Sequence, residues 1–142
     1  MAEKILLVDD ETDFLEVMSE RMSARGMEVS TAESALEALE QVEKGGFDAI
    51  VLDLMMPGMD GLETLKAIKR KRPELQVILL SGHATLEKGI EAMKLGAMDF
   101  IEKPADINAL TEKIHKARAQ KMVLVEKQME SKLKSIINAR GW

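Results

Sequence analysis

The stretch IVLDLMMPGMDG, residues 50–61, decides how the chain is read. Ile50, Val51 and Leu52 make an apolar run suited to a short buried strand, Asp53 ends it with a carboxylate, and Pro57-Gly58 turns the chain directly afterwards. An acid at the end of such a run is a turn former or one member of a site. Which of the two depends on what the other strands deliver to the same edge.

Working outward, short apolar runs alternate with segments of helical period. Strands are expected at residues 5–8, 27–29, 49–52, 75–80 and 98–101. Between them, Phe14, Leu15, Met18 and Met22 mark a first helix that stops at Arg25-Gly26. Ser30 and Glu33 have capping-box spacing before a stripe of Ala35, Leu36, Leu39 and Val42. Asp60 and Glu63 can cap a third helix with the stripe Leu62, Leu65 and Ile68, and Leu86, Ile90 and Met93 define a fourth that Gly96 closes. Asp106 can cap a fifth, with Ile107, Leu110 and Ile114 on its buried side. Strict alternation implies an α/β fold with a parallel sheet covered by helices on both faces, and five units suit an open doubly wound sheet rather than an eight-fold barrel.

Length and composition set the outer limits. At 142 residues the chain is one domain with room for a short appendage, since a second core needs roughly 100 more. With 46% hydrophobic and 32% charged residues it has enough apolar surface to fold. The absence of cysteine removes disulfides, thiolate metal sites and a cysteine nucleophile. Residues 1–11 lack the apolar core of a signal peptide, and no run approaches the roughly 18 apolar residues of a membrane helix, so a cytoplasmic protein away from the membrane is expected. A net charge of −5 argues against nucleic-acid binding by the whole domain.

In doubly wound sheets, ligands sit beyond the carboxyl ends of the strands. Those ends carry Asp9 and Asp10 after the first strand, Asp53 after the third, Ser81 after the fourth and Lys103 after the fifth. Any one of these is explained as a turn, cap or solvated residue. Together they are not, because clustered carboxylates repel unless a cation sits among them. An all-oxygen set favours Mg²⁺. Asp53 is then placed to act as a nucleophile and form an aspartyl-phosphate, with Lys103 and Ser81 stabilising the oxygens of the transferring group.

Four blocks, LLVDDE at 6–11, LDLMMPGMDG at 52–61, ILLSGHA at 78–84 and GAMDFIEKP at 96–104, occur in order and at the intervals of a known family. The chain resembles the receiver domain of bacterial two-component response regulators over residues 4–120, in particular the group preceding sigma-54-type ATPase activators. The resemblance implies a flavodoxin-like sheet of order 2-1-3-4-5. It implies that Asp53 accepts phosphate from a sensor histidine kinase or phosphotransfer protein, with Mg²⁺ held by Asp9, Asp10, Asp53 and the main-chain carbonyl of Met55. Ser81 and Phe100 fall on its switch pair, which changes the surface of the fourth helix, fifth strand and fifth helix for a downstream protein partner. Lys103 would contact the phosphate, with a cis bond to Pro104. Met55 and His83 correspond to positions that tune phosphate lifetime, and an apolar Met55, unable to orient water, points to slow self-dephosphorylation.

Residues 1–120 are accordingly read as the receiver and 121–142 as a helical extension. In the extension Met122, Val125, Met129, Leu133 and Ile136 form a stripe suited to a homodimer, a partner, or a linker to an output domain. The surface of the fourth helix, fifth strand and fifth helix is the other route to a homodimer. The tail's lysines lack the aromatic interleaving or helix-turn-helix pattern of a DNA-binding element. Three readings compete with the phosphoacceptor. One is a receiver-shaped interaction module, and another is a truncated receiver of a larger transcription regulator. The third is a hydrolase with an aspartyl-phosphate intermediate, whose second acid is missing because Met55 occupies its position. The chain is therefore not expected to be an enzyme beyond assisting its own phosphorylation and dephosphorylation.

Overall fold

The computed structural model describes residues 2–82, 86–104 and 106–139. Five strands, β1 (Lys4–Val8), β2 (Glu28–Ala32), β3 (Ala49–Asp53), β4 (Gln76–Ser81) and β5 (Asp99–Glu102), alternate with five helices. These are α1 (Thr12–Ala24), α2 (Ala35–Lys44), α3 (Gly61–Lys71), α4 (Leu86–Lys94) and α5 (Ile107–Ala139). All strand pairs are parallel, as the alternation predicts, and the order is β2-β1-β3-β4-β5, the one the resemblance implies.

The two-residue period of the strands divides the core in two. Leu6, Val8, Ile50, Leu52, Val77 and Leu79 face Ala38 and Val42 of α2, Leu65 and Ile68 of α3, and Ala92 of α4. On the opposite face, Ile5, Leu7, Val51, Ile78 and Leu80 meet Leu15, Met18 and Met22 of α1 and Leu110, Ile114 and Ala117 of α5. Every residue of β3 and β4 is buried. Full burial of each large aliphatic side chain contributes about 1.5–3 kcal/mol, so these central strands are the firmest support the chain can offer a site.

Several local expectations are corrected. The second helix is capped by Ser34, whose hydroxyl accepts from the Glu37 amide at 3.2 Å while the Glu37 carboxylate accepts from the Glu33 amide at 2.8 Å. Ser30 instead lies in β2, which pairs with β1 from Lys4↔Glu28 to Val8↔Ala32 rather than following the apolar run from Met27. With the cap at Ser34, Ala38 and Val42 face the core and Leu36 points outward, 69% exposed. In α4 the small residues Gly89 and Ala92 face the sheet, Gly89 lying against the Phe100 ring, and Ile90 and Met93 are each 48% exposed. The side chain of Leu86 lies outside the described set. As expected of a helical extension, α5 continues without a break past residue 120.

At the start of α3, the Asp60 carboxylate accepts from the amides of Leu62 and Glu63 at 3.1 and 3.2 Å, an N-cap as expected. Gly58 has a positive φ of 70°, which the turn requires. Gly61 is required for a different reason. A Cβ there would lie 2.5 Å from Leu54 Cδ1 and 2.7 Å from the Leu54 carbonyl oxygen. Gly61→Ala is therefore expected to lower the unfolding free energy by about 1–3 kcal/mol in urea titrations, and an unchanged midpoint would contradict this close approach.

Candidate functional site

The register of β1 against β3, ending at Val8↔Leu52, carries Asp9 and Asp53 out of the sheet side by side. Both are almost fully buried, at 1% and 4% exposure, whereas Asp10 is exposed. Carboxylate oxygens of Asp9, Asp10 and Asp53 all lie within 4.8 Å of one another. Each buried acid is oriented by a backbone amide two residues on, Glu11 N–H donating to Asp9 Oδ1 and Met55 N–H to Asp53 Oδ1, both at 2.9 Å.

Lys103 reaches this cluster from the loop after β5. Its Nζ donates to Asp9 Oδ2 at 2.7 Å and Asp53 Oδ2 at 3.2 Å, and Glu11 is 3.8 Å away. Its backbone N–H is bonded to the Ser81 carbonyl at 2.8 Å, and its peptide bond to Pro104 is cis. The ammonium also lies 4.3 Å from the centre of the Phe14 ring, on the first turn of α1. By sequence Phe14 is one of four apolar residues, with Leu15, Met18 and Met22, that recur at helical spacing. Its place in the turn that follows Asp9 and Asp10 was the available signal.

The electrostatics follow from burial. Loss of water pushes the Asp53 carboxyl above the usual carboxylate range, and the Asp9 charge adds to this; the Met55 amide and Lys103 oppose it incompletely. For Lys103, burial disfavours the charge, but the hydrogen bond to Asp9 and the charges of Asp53 and Asp9 outweigh it, so its pKa is raised. Three carboxylates against one ammonium leave negative charge uncompensated. That excess, with oxygen as the only donor type, fits a hard divalent cation such as Mg²⁺.

Ser81 is fully buried at the end of β4, and no buried side-chain polar atom lacks a partner among the described residues. It continues the Val77 and Leu79 face of the sheet, the same face that carries Phe100, which is partly buried under α4. Met55 is half exposed, its sulfur 3.8 Å from Lys88 Nζ. His83 lies outside the described residues. A groove of about 780 Å³ is formed by the segment that follows Asp53, lined by Met55, Met56, Met59, Leu62 and Lys88 among others.

The pH dependence of the cluster has a definite sign. A carboxyl whose folded pKa is raised destabilises the fold above that pKa, and the cost disappears as pH falls through it. Asp53→Asn is therefore expected to melt at a higher temperature than the parent at neutral pH in a chelator, with the difference closing on acidification. Equal melting temperatures across the series would contradict the burial argument.

The pattern for the family described as response regulator receiver domain matches residues 5–115. The transcriptional regulatory protein ZraR of Escherichia coli is 36% identical over 115 residues, which are 81% of this chain and 26% of that protein. The chain thus spans about a quarter of the length of the curated relatives it matches. Among solved structures, a response regulator receiver domain from Clostridium thermocellum has a TM-score of 0.82 at 35% identity, covering 86% of this chain and 98% of that one. The beryllofluoride-activated NtrC4 receiver domain dimer has a TM-score of 0.78 at 31% identity, covering 83% and 98%.

Proposed function

This chain belongs to the response regulator receiver domain family of two-component signalling, and we propose that Asp53 is its phosphoacceptor, supplied by a phosphohistidine of a sensor histidine kinase or phosphotransfer protein. The observation that carries this reading is a single ammonium bonded to both buried acids, Lys103 to Asp9 and Asp53, at the carboxyl edge of the sheet. An Asp53 oxygen attacks phosphorus as the bond from phosphorus to the imidazole nitrogen breaks, and that nitrogen leaves with the electron pair. The Met55 amide holds the carboxylate in one orientation, and burial has already stripped it of water. Lys103 meets the charge on the phosphoryl oxygens, and the Ser81 hydroxyl donates to one of them. Asp9, Asp10, Asp53 and the Met55 carbonyl would hold Mg²⁺, which when bound neutralises phosphoryl charge.

Phosphorylation then draws Ser81 toward the site, and Phe100 moves into the space released on the same sheet face. This alters the surface of α4, β5 and α5 for a downstream protein. Hydrolysis of the aspartyl-phosphate resets the switch, slowly because the apolar Met55 side chain does not orient water; His83 is the second position proposed to set this lifetime. No helix among the described residues is long and apolar enough to cross a membrane, and the cytoplasm is the compartment proposed.

With acetyl phosphate and Mg²⁺, the parent protein is expected to gain the mass of one phosphoryl group and Asp53→Ala none. Lys103→Gln should slow the gain by about 10²–10³, the cost of removing one stabilising donor from comparable sites. Undiminished labelling of Asp53→Ala would overturn the assignment.

Residues 121–142 are proposed as a second functional element that pairs with another copy of the chain. Met122, Met129, Leu133 and Ile136 are 51–66% exposed along one helix. Ile90 and Met93 offer the alternative dimer surface on α4. Light scattering separates the two: loss of the dimer on removing residues 121–142 assigns it to the helix. A dimer that survives the truncation assigns it to α4, β5 and α5.

A further inference from the structure

We infer that Phe14 is a positioning residue for Lys103, its ring face holding the ammonium at the carboxylate cluster while the lysine's hydrogen bonds change partners. The inference rests on the phosphoacceptor reading of Asp53. Lys103 is anchored at one end by its backbone bond to Ser81, but four flexible methylenes separate that anchor from the charge. Asp9 and Asp53 hold the ammonium on one side, at 2.7 and 3.2 Å, and the Phe14 ring lies 4.3 Å from it. This distance is within the roughly 6 Å over which a ring face attracts a cation.

The two kinds of contact behave differently during transfer. As Asp53 becomes an acyl phosphate it loses its charge, and the Lys103 proton directed at it must turn to a phosphoryl oxygen. The ring's attraction depends on where the charge is and not on where each N–H points, so it persists while the hydrogens are redirected. The ring is itself held in place: Phe14 is partly buried and packs on the core between the sheet, α1 and α5. α1 begins at Thr12, so the same short segment that carries Asp9 and Asp10 sets the position of the ring relative to them.

The test compares phosphorylation rates by acetyl phosphate in Mg²⁺ for the parent, Phe14→Leu, Phe14→Tyr, Lys103→Gln and the Phe14→Leu/Lys103→Gln pair. Phe14→Leu keeps apolar volume and loses the ring face, and should be slowed roughly three- to thirty-fold, the range such a contact carries at a partly desolvated site. Phe14→Tyr should restore the rate. In the Lys103→Gln background, Phe14→Leu should add nothing further, because the ammonium that the ring holds is gone. In the unphosphorylated parent, the Lys103 ε-methylene protons should show an upfield ring-current shift that disappears in Phe14→Leu. Should Phe14→Leu not fold, pentafluorophenylalanine at this position keeps the shape, reverses the charge of the ring face, and should show the same slowing.

Equal slowing by Phe14→Leu with and without the Lys103 ammonium would reduce Phe14 to packing and overturn the inference. So would a parent-like rate in Phe14→Leu while the parent is labelled at Asp53. Failure of the parent to be labelled at all would remove the phosphoacceptor reading, and this inference with it.

Discussion

The site depends on one ammonium shared by two buried carboxylates. A buried, uncompensated carboxylate costs several kcal/mol, and the parallel register of β1 and β3 places two of them side by side. Lys103 is the charge that makes this tolerable, and to bring it there the chain must complete β4 and β5 and close the loop after β5 on the Ser81 carbonyl. Asp9 and Asp53 lie 94 and 50 positions before the lysine. No part of the cluster is viable until the sheet has assembled.

Around that fixed centre the two sides of the sheet are built differently. On the α1 and α5 side, Leu15, Met18, Met22, Leu110 and Ile114 bury large side chains, and Phe14 closes over Lys103. On the other side, α4 meets the sheet through Gly89 and Ala92 and leaves Ile90 and Met93 outside. Small residues bury little apolar area, so the described side chains of α4 hold it to the sheet only lightly. A helix held this lightly beside Phe100 suits the switching proposed for that ring, while the heavily packed side keeps the acids and the lysine in place.

Much of this was legible from local pattern. The strands β3 and β4 read as apolar runs because both their faces are buried, and Asp60 read as a cap because its spacing to Glu63 is local chemistry. The edge strand was misplaced by one to three residues because only Ala32 of β2 is buried, and pairing with β1 sets its limits. The apolar patterns through Leu36 and through Ile90 and Met93 show which residues share a helix face, not which way that face points, and all three are exposed. Phe14 was the opposite case, since its helix was right and its contact with a lysine 89 positions later had no local signature.

What the sequence by itself determined is the alternation of strands and helices, the parallel sheet, and the set of residues delivered to its carboxyl edge. These follow from periodicity and from the rule that strand ends carry ligand sites, both properties of neighbouring residues. Only the tertiary structure decided that Asp9 and Asp53 share the Lys103 ammonium, that Phe14 lies against that ammonium, and that α4 rests on glycine and alanine. These are meetings between segments far apart in the chain. They depend on strand register and helix rotation, which the packed core sets and a local pattern does not encode.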